Sequence, residues 1–421
     1  MKKRRGETLN DQWLEKEGKK WVAENIISEE QYRLIVAKYK DNHSQRGIGL
    51  IPIFASILIA LGILSFIAAN WSGITPPFRL ILLIAVLCTS YGLGHIFLQK
   101  GKEALGHSCI GLGIASFGAS LILLGQTYHF VSYDARTFII WSVPALIYLY
   151  FLNGRLLFFL TFAILTGGQI YAQTEFSSYS YVLLILFGLG LGWFALNEKN
   201  RLYTRFFAAG FILHLVFLAG TLDENWLWLI VILLGVYSLS EWLDQGLGSS
   251  LKFFASAAAF GINLVLYFTL TNTPSDTFDY PEPLWFLLIF ILLAAFLIYS
   301  RMKKGTLPAL LKSGILFIPW FYLSTFTGNL AVGILYLIVA FVFPGLLLSE
   351  GYRTEQRYQI NWGIILFLLV TFIAYINLAW SFMPKSLFFL IGGILLFALY
   401  FFLQKKKKDV LEERGTPHEK K

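Results

Sequence analysis

The sequence predicts an all-α polytopic integral membrane bundle of about fourteen transmembrane helices, and three observations predict it. Hydrophobic residues fill 57% of the 421 positions and charged residues only 14%, too few to clothe a soluble chain of this size. Apolar runs long enough to cross a bilayer recur from Leu50 to Leu403. The net charge of +9 gathers in two tails, Met1 to Arg46 and Lys405 to Lys421, and in alternate short loops. That is the pattern of membrane topology rather than of nucleic-acid binding.

A hydrocarbon core takes about 20 apolar residues per helix, and about 17 suffice. By that yardstick the first six spans run roughly over Leu50 to Ala69, Phe78 to Leu98, Leu105 to Gly125, Thr137 to Leu152, Leu156 to Ala172 and Tyr179 to Leu196. The next four cover Thr204 to Gly220, Trp226 to Leu243, Leu251 to Thr271 and Pro283 to Tyr299. Pro308 to Phe326, Leu330 to Leu348, Asn361 to Trp380 and Ser386 to Leu403 complete the set. The fourth and fifth are short and separated only by Asn153 to Arg155, while Lys312 and Pro319 predict a kink or a late start in the eleventh.

Loop charges orient these spans. With the amino terminus in the cytoplasm, inside loops carry Lys100, Lys102, Arg155, Lys199, Arg201, Arg205, Lys252, Arg301, Lys303, Lys304, Arg353 and Arg357. Outside edges carry only Arg79, Arg136 and Lys385, whereas Glu175, Asp223, Glu224, Asp276, Asp279 and Glu282 all fall outside. This obeys the positive-inside rule and predicts an even number of crossings with both termini cytoplasmic. Trp71, Trp141, Trp226, Trp285 and Trp380 are expected near the outer interface, and Trp242 and Trp362 near the inner one. Small residues at Gly111, Ala115 and Ala119, and at Gly188 and Gly192, predict close helix packing.

Four regions follow: a cytoplasmic helical hairpin over 1–47, the first four spans over 48–152, about ten more over 153–403, and a basic cytoplasmic tail over 404–421. The first apolar run begins too late for a cleaved signal peptide and is expected to stay as an anchor. Ser28-Glu29-Glu30-Gln31 reads as a capping box, followed by apolar Leu34, Ile35 and Tyr39 on one face. So short an amphipathic piece needs a partner: the preceding helix around Trp13 to Ala23, the membrane surface, or a second protein. Lys405 to Lys408 just beyond the last span attract anionic lipid headgroups.

Topology gathers one set of polar residues at the outer face: Asn70 and Trp71 after the first span, Arg79 opening the second, Gln126, Tyr128 and His129 ending the third, and Asp134 and Arg136 before the fourth. They suit an anionic or hydroxyl-rich substrate, with Arg79 as the charge and Gln126, Tyr128 and His129 as hydrogen-bonders. Their plainer explanation is structural, since Arg and Tyr snorkel at interfaces and Asp134 can pair with Arg136. His95 and His107 flank a short inner turn without a third ligand nearby, so no metal site is expected. His214, Asn263 and Asn377 lie inside later spans, where polar groups serve function or interhelical hydrogen bonding. No Walker loop, dinucleotide fingerprint or zinc-protease motif is present, which argues against an ATP-driven machine and calls for no cofactor.

Three stretches carry a family resemblance: Asn25-Ile26-Ile27-Ser28-Glu29-Glu30-Gln31, Ala68-Ala69-Asn70-Trp71 with Arg79 following, and Leu124-Gly125-Gln126-Thr127-Tyr128-His129 with Trp141 beyond. In that order and spacing they resemble the bacterial predicted-membrane-protein family called domain of unknown function 2157. The resemblance spans roughly the first 150 residues. Asn25 stands where that family usually has Gly, and Asn also tolerates a left-handed turn. The resemblance implies a bacterial cytoplasmic membrane and brings no activity or catalytic residue. Span number and the outer cluster favour transport or translocation of a polar or lipid-linked substrate. A membrane enzyme acting on an envelope lipid or sugar, with His129 as general base, and a scaffold or sensor working through the hairpin are the alternatives.

Overall fold

The computed structural model describes residues 17–35, 58, 62, 65, 73–129, 134–222, 225–272, 280–305, 313–379 and 385–412. It divides into two compact units, Met1–Ile84 and Ala85–Lys421.

In the first unit, residues 17–23 and 29–35 are helical. The chain reverses between them at Asn25, whose φ of 57° is the left-handed conformation that a short amide side chain tolerates. The capping box forms as its residues dictate. The Ser28 N–H donates to Gln31 Oε1 at 2.9 Å, and the Gln31 N–H donates to Ser28 Oγ at 3.2 Å. The two helices meet where Gly18 lies under Tyr32: a Cβ on Gly18 would fall 2.6 Å from the Tyr32 ring. The preceding helix is therefore a packing partner for the amphipathic piece. Leu58, Gly62 and Ser65 are helical within the first expected span, whose other residues lie outside those described.

Twelve helices follow, all but the start of the first in the second unit. They are α1 (Pro76–Gln99), α2 (Glu103–Tyr128), α3 (Arg136–Leu152), α4 (Arg155–Phe176), α5 (Tyr181–Glu198) and α6 (Arg201–Gly220). Then come α7 (Trp228–Leu239), α8 (Gln245–Asn272), α9 (Pro283–Lys303), α10 (Asn329–Thr354), α11 (Arg357–Ala379) and α12 (Lys385–Glu412). Among the described residues, 10 of these helices are long and apolar enough to cross a membrane; α3 and α7 are shorter apolar helices. The all-α, many-helix expectation therefore holds, with ten rather than about fourteen such helices among the described residues.

Two local features decide the differences. The short turn after α3 works because Asn153 takes φ 47° and its N–H closes on Leu149 O. The eleventh expected span is not one helix in its described part. It breaks into 3-10 turns at Ile315–Phe317 and Trp320–Leu323 and an α turn at Ser324–Thr327. Pro319 supplies no N–H, and Ile318 before it is extended with ψ 127°. Neighbouring helices satisfy the freed backbone, since Asn263 Nδ2 donates to Leu316 O at 2.8 Å and the Phe321 N–H donates to Tyr336 Oη at 3.1 Å.

Two large apolar cores hold most of the second unit. One joins α2 to α6 through Ile110, Ile114, Leu149, Phe158, Phe187 and Phe194; the other joins α6 to α10 through Tyr237, Phe286, Phe317, Phe321 and Tyr336. A small one of Leu348, Ile360, Ile364 and Leu403 joins α10, α11 and α12. The outward faces are equally apolar, as on α9 with Leu284, Leu288, Ile291 and Leu292 exposed. Faces like these belong against lipid. Trp141 packs between α2 and α3. Its indole N–H donates to Ile114 O at 2.7 Å, over Gly118.

Candidate functional site

Four helix ends converge on one face of the second unit: the starts of α6 and α8 and the ends of α7 and α9. Between α7 and α8 lies Ser240–Trp242, a single 3-10 turn. Glu241 in that turn is 4% exposed, a depth at which an ionised carboxylate needs partners.

The partners come from two other elements. Arg301 in the last turn of α9 places Nη2 2.6 Å from Glu241 Oε1. Lys252, two turns into α8, places Nζ 2.9 Å from Oε2, and Lys304 lies 3.8 Å from the same oxygen. Lys304 Nζ also donates to the Glu241 backbone carbonyl, and Arg301 Nη2 to Tyr237 Oη at 3.1 Å. One carboxylate thus faces three cations. The Nε–H of Arg301, itself buried, has no hydrogen-bond partner among the described residues.

This cluster forms the wall of a cavity of about 540 Å³. Arg201 and Arg205 from the first turns of α6 line it, together with Glu241, Asp244, Lys252, Lys304 and the opening turn of α8 from Gln245 to Ser250. Asp244 caps α8 by accepting from the Leu247 N–H at 3.4 Å. With Arg301 behind the wall, five cations oppose two carboxylates. The starts of α6 and α8 add the positive ends of two helix dipoles. Trp242 anchors the rim: its indole N–H donates to Ser300 Oγ at 3.0 Å and Lys303 Nζ lies 5.2 Å from its ring centre. This arrangement attracts anions.

None of the described residues expected to form a site is among those lining this cavity. Asn70 and Trp71 are outside the described residues. Arg79, in the first unit, donates from Nε to Ile74 O at 2.8 Å. In the second unit Gln126, Tyr128 and His129 are exposed at the end of α2, where His129 takes φ 54° and closes the helix on Gly125 O. Arg136 Nε lies 2.7 Å from Asp134 Oδ2, and Asp134 Oδ1 accepts from the Arg136 N–H at 2.9 Å. Local capping and pairing thus occupy Arg79, His129, Asp134 and Arg136.

Of the polar residues inside later spans, Asn263 bonds to Ala259 O and Leu316 O, and Asn377 Nδ2 donates to Tyr267 Oη at 2.7 Å. His214 differs: it is fully buried against Phe187 at 4.5 Å, and neither ring nitrogen has a partner among the described residues. Among the described residues no group of three metal-ligating side chains occurs.

Sequence reasoning missed Glu241. The signal was present, because Glu241 is the one carboxylate inside any of the expected spans. Arg301, Lys252 and Lys304 were read only as loop charges that set orientation.

The fold and the cluster define a polytopic α-helical membrane protein whose buried charged residues gather at one end of its helices. Residues 19–158 match the model of the family described as predicted membrane protein (DUF2157), over the stretch that carries the resemblance. No curated protein matches the chain, and no solved structure does.

Proposed function

We propose that the protein carries or translocates a polar or lipid-linked substrate across a bacterial cytoplasmic membrane and recognises an anionic group of that substrate in the Glu241 cavity. The observation that carries this reading is the cavity itself: polar-walled, net positive, and built from the ends of α6, α7, α8 and α9. Charges are costly near a bilayer, and a surplus of one sign calls for a counter-charge from outside the protein. The broken segment at 315–327 supports movement rather than static binding, since interrupted helices are recurrent parts of alternating-access carriers.

Loop charges assign the cavity to the cytoplasmic face and both termini to the cytoplasm. The turn between α2 and α3, with Gln126, Tyr128, His129, Asp134 and Arg136, then lies at the opposite face. It is proposed as a second, weaker contact. Lipid headgroups around the basic tail complete the expected partners.

The test is purification in detergent followed by mass spectrometry of co-purified lipids and metabolites. An anionic compound enriched with the native protein and absent from an Arg201→Gln, Arg205→Gln variant is the expected result. A clean native preparation, or equal enrichment in both, rejects the cavity as the recognition site.

A further inference from the structure

We infer that the group taken by this cavity is a phosphate, and that the Glu241 carboxylate competes with it for Lys252 and Lys304; this rests on the anion reading above. The cation set is graded. Arg301 is the fixed partner, 9% exposed, 2.6 Å from Oε1 and tied to Tyr237. Lys252 and Lys304 are 27% and 44% exposed, both meet Oε2, and both line the cavity. A lysine ammonium is a point charge on a flexible stem, whereas the arginine fork is planar and directional. When the lysines turn to a ligand, Arg301 still neutralises the carboxylate, so the exchange leaves no buried charge alone.

The chemistry of the opposite wall selects phosphate over carboxylate. Arg201 and Arg205 stand four residues apart on α6, so both guanidinium groups project from one face of the helix. Two such forks meet several oxygens at once, as on a phosphate and unlike a single carboxylate. The opening turn of α8 also lines the wall; its Leu247 and Gly248 N–H groups are held by Asp244, so it contributes the positive end of its dipole rather than free donors. Three surplus positive charges suit a dianion better than a monoanion, and a phosphomonoester carries about two negative charges at neutral pH. A volume of about 540 Å³ holds more than inorganic phosphate alone. The ligand is therefore a phosphate ester, either a soluble one or a lipid headgroup.

The experiment uses the full-length protein in phosphatidylcholine nanodiscs. Glycerol 3-phosphate is titrated calorimetrically, and phosphatidic acid is offered in a second set of nanodiscs read by native mass spectrometry. Binding of the soluble ester alone identifies a free phosphate compound, and binding of phosphatidic acid alone identifies a headgroup; either supports the phosphate assignment. The Arg201→Gln, Arg205→Gln variant is expected to bind about tenfold more weakly. Glu241→Gln is expected to bind about threefold more tightly, because the competing charge is gone. In native protein the bound ester is expected to protect Lys252 and Lys304 from amine acylation. Absence of binding to both probes overturns the phosphate assignment, and binding indifferent to the arginine pair overturns the cavity as the site; the co-purification test alone decides the anion reading. Binding lost with the arginine pair but unstrengthened in folded Glu241→Gln overturns the competition alone. If Glu241→Gln does not fold, acylation decides: unprotected lysines in ester-bound native protein overturn it.

Discussion

The Arg301 guanidinium lies 2.6 Å from the Glu241 carboxylate, sixty positions away along the chain, and both groups are nearly closed off from solvent. The pair ties the end of α9 to the turn between α7 and α8, and thereby sets the back wall of the cavity.

Losing Arg301 takes the cation from Glu241 Oε1 while Lys252 and Lys304 still meet Oε2. Arg301→Met is expected to cost about 1–3 kcal/mol, read as a fall in thermal midpoint in detergent. Arg301→Met combined with Glu241→Gln is expected to recover much of the loss, since no buried charge is then unpaired. A double variant no more stable than Arg301→Met would show that the pair is not what the single substitution disrupts.

Gly118 and Trp141 are a steric couple. A Cβ on Gly118 would fall 2.0 Å from the indole, so Gly118→Ala is expected to destabilise α2 against α3 by about 1–3 kcal/mol. Trp141→Phe beside it is expected to relieve part of that cost while giving up the bond to Ile114 O. A thermal double-mutant cycle with additive losses would exclude the coupling.

Asn263 and His214 are both fully enclosed polar side chains, yet opposite outcomes are expected. Asn263→Leu removes the donor to Leu316 O in the broken segment and is expected to cost about 1–3 kcal/mol. His214→Phe removes two nitrogens that have no partner among the described residues, and is expected to be neutral or to raise the melting point. A clear loss in His214→Phe would mean that those nitrogens are bonded in the membrane.

The amino-terminal hairpin is testable without touching the bundle. Ser28→Ala is expected to lower the stability of helical residues 29–35 by about 1 kcal/mol, seen as faster amide exchange there. Asn25→Gly is expected to leave exchange unchanged or slower, because φ 57° suits glycine. Faster exchange in Asn25→Gly would show that the amide side chain does more than permit the turn.

Much of the local structure was legible in the residues. Ser28 and Gln31 announced their reciprocal cap, Asn25 its left-handed turn, and Pro319 the interruption of its span. Each depends on neighbours within a few positions, which sequence displays directly. The outer polar set was legible only as an address at one end of the helices. Its observed bonds, from Arg79 to Ile74 O and from Arg136 to Asp134, are short-range contacts that a pattern of topology does not distinguish from a ligand site.

The sequence by itself determined that this chain crosses a membrane many times, because hydrophobic length and loop charge are additive properties read along the chain. Only the tertiary structure decided that Glu241, rather than the outer cluster, stands at the most concentrated charge in the described protein. The physical reason is that lipid and protein interior are equally apolar, so hydropathy does not say which face of a span meets another helix. Arg301, Lys252 and Lys304 become partners of one carboxylate only once α7, α8 and α9 pack together.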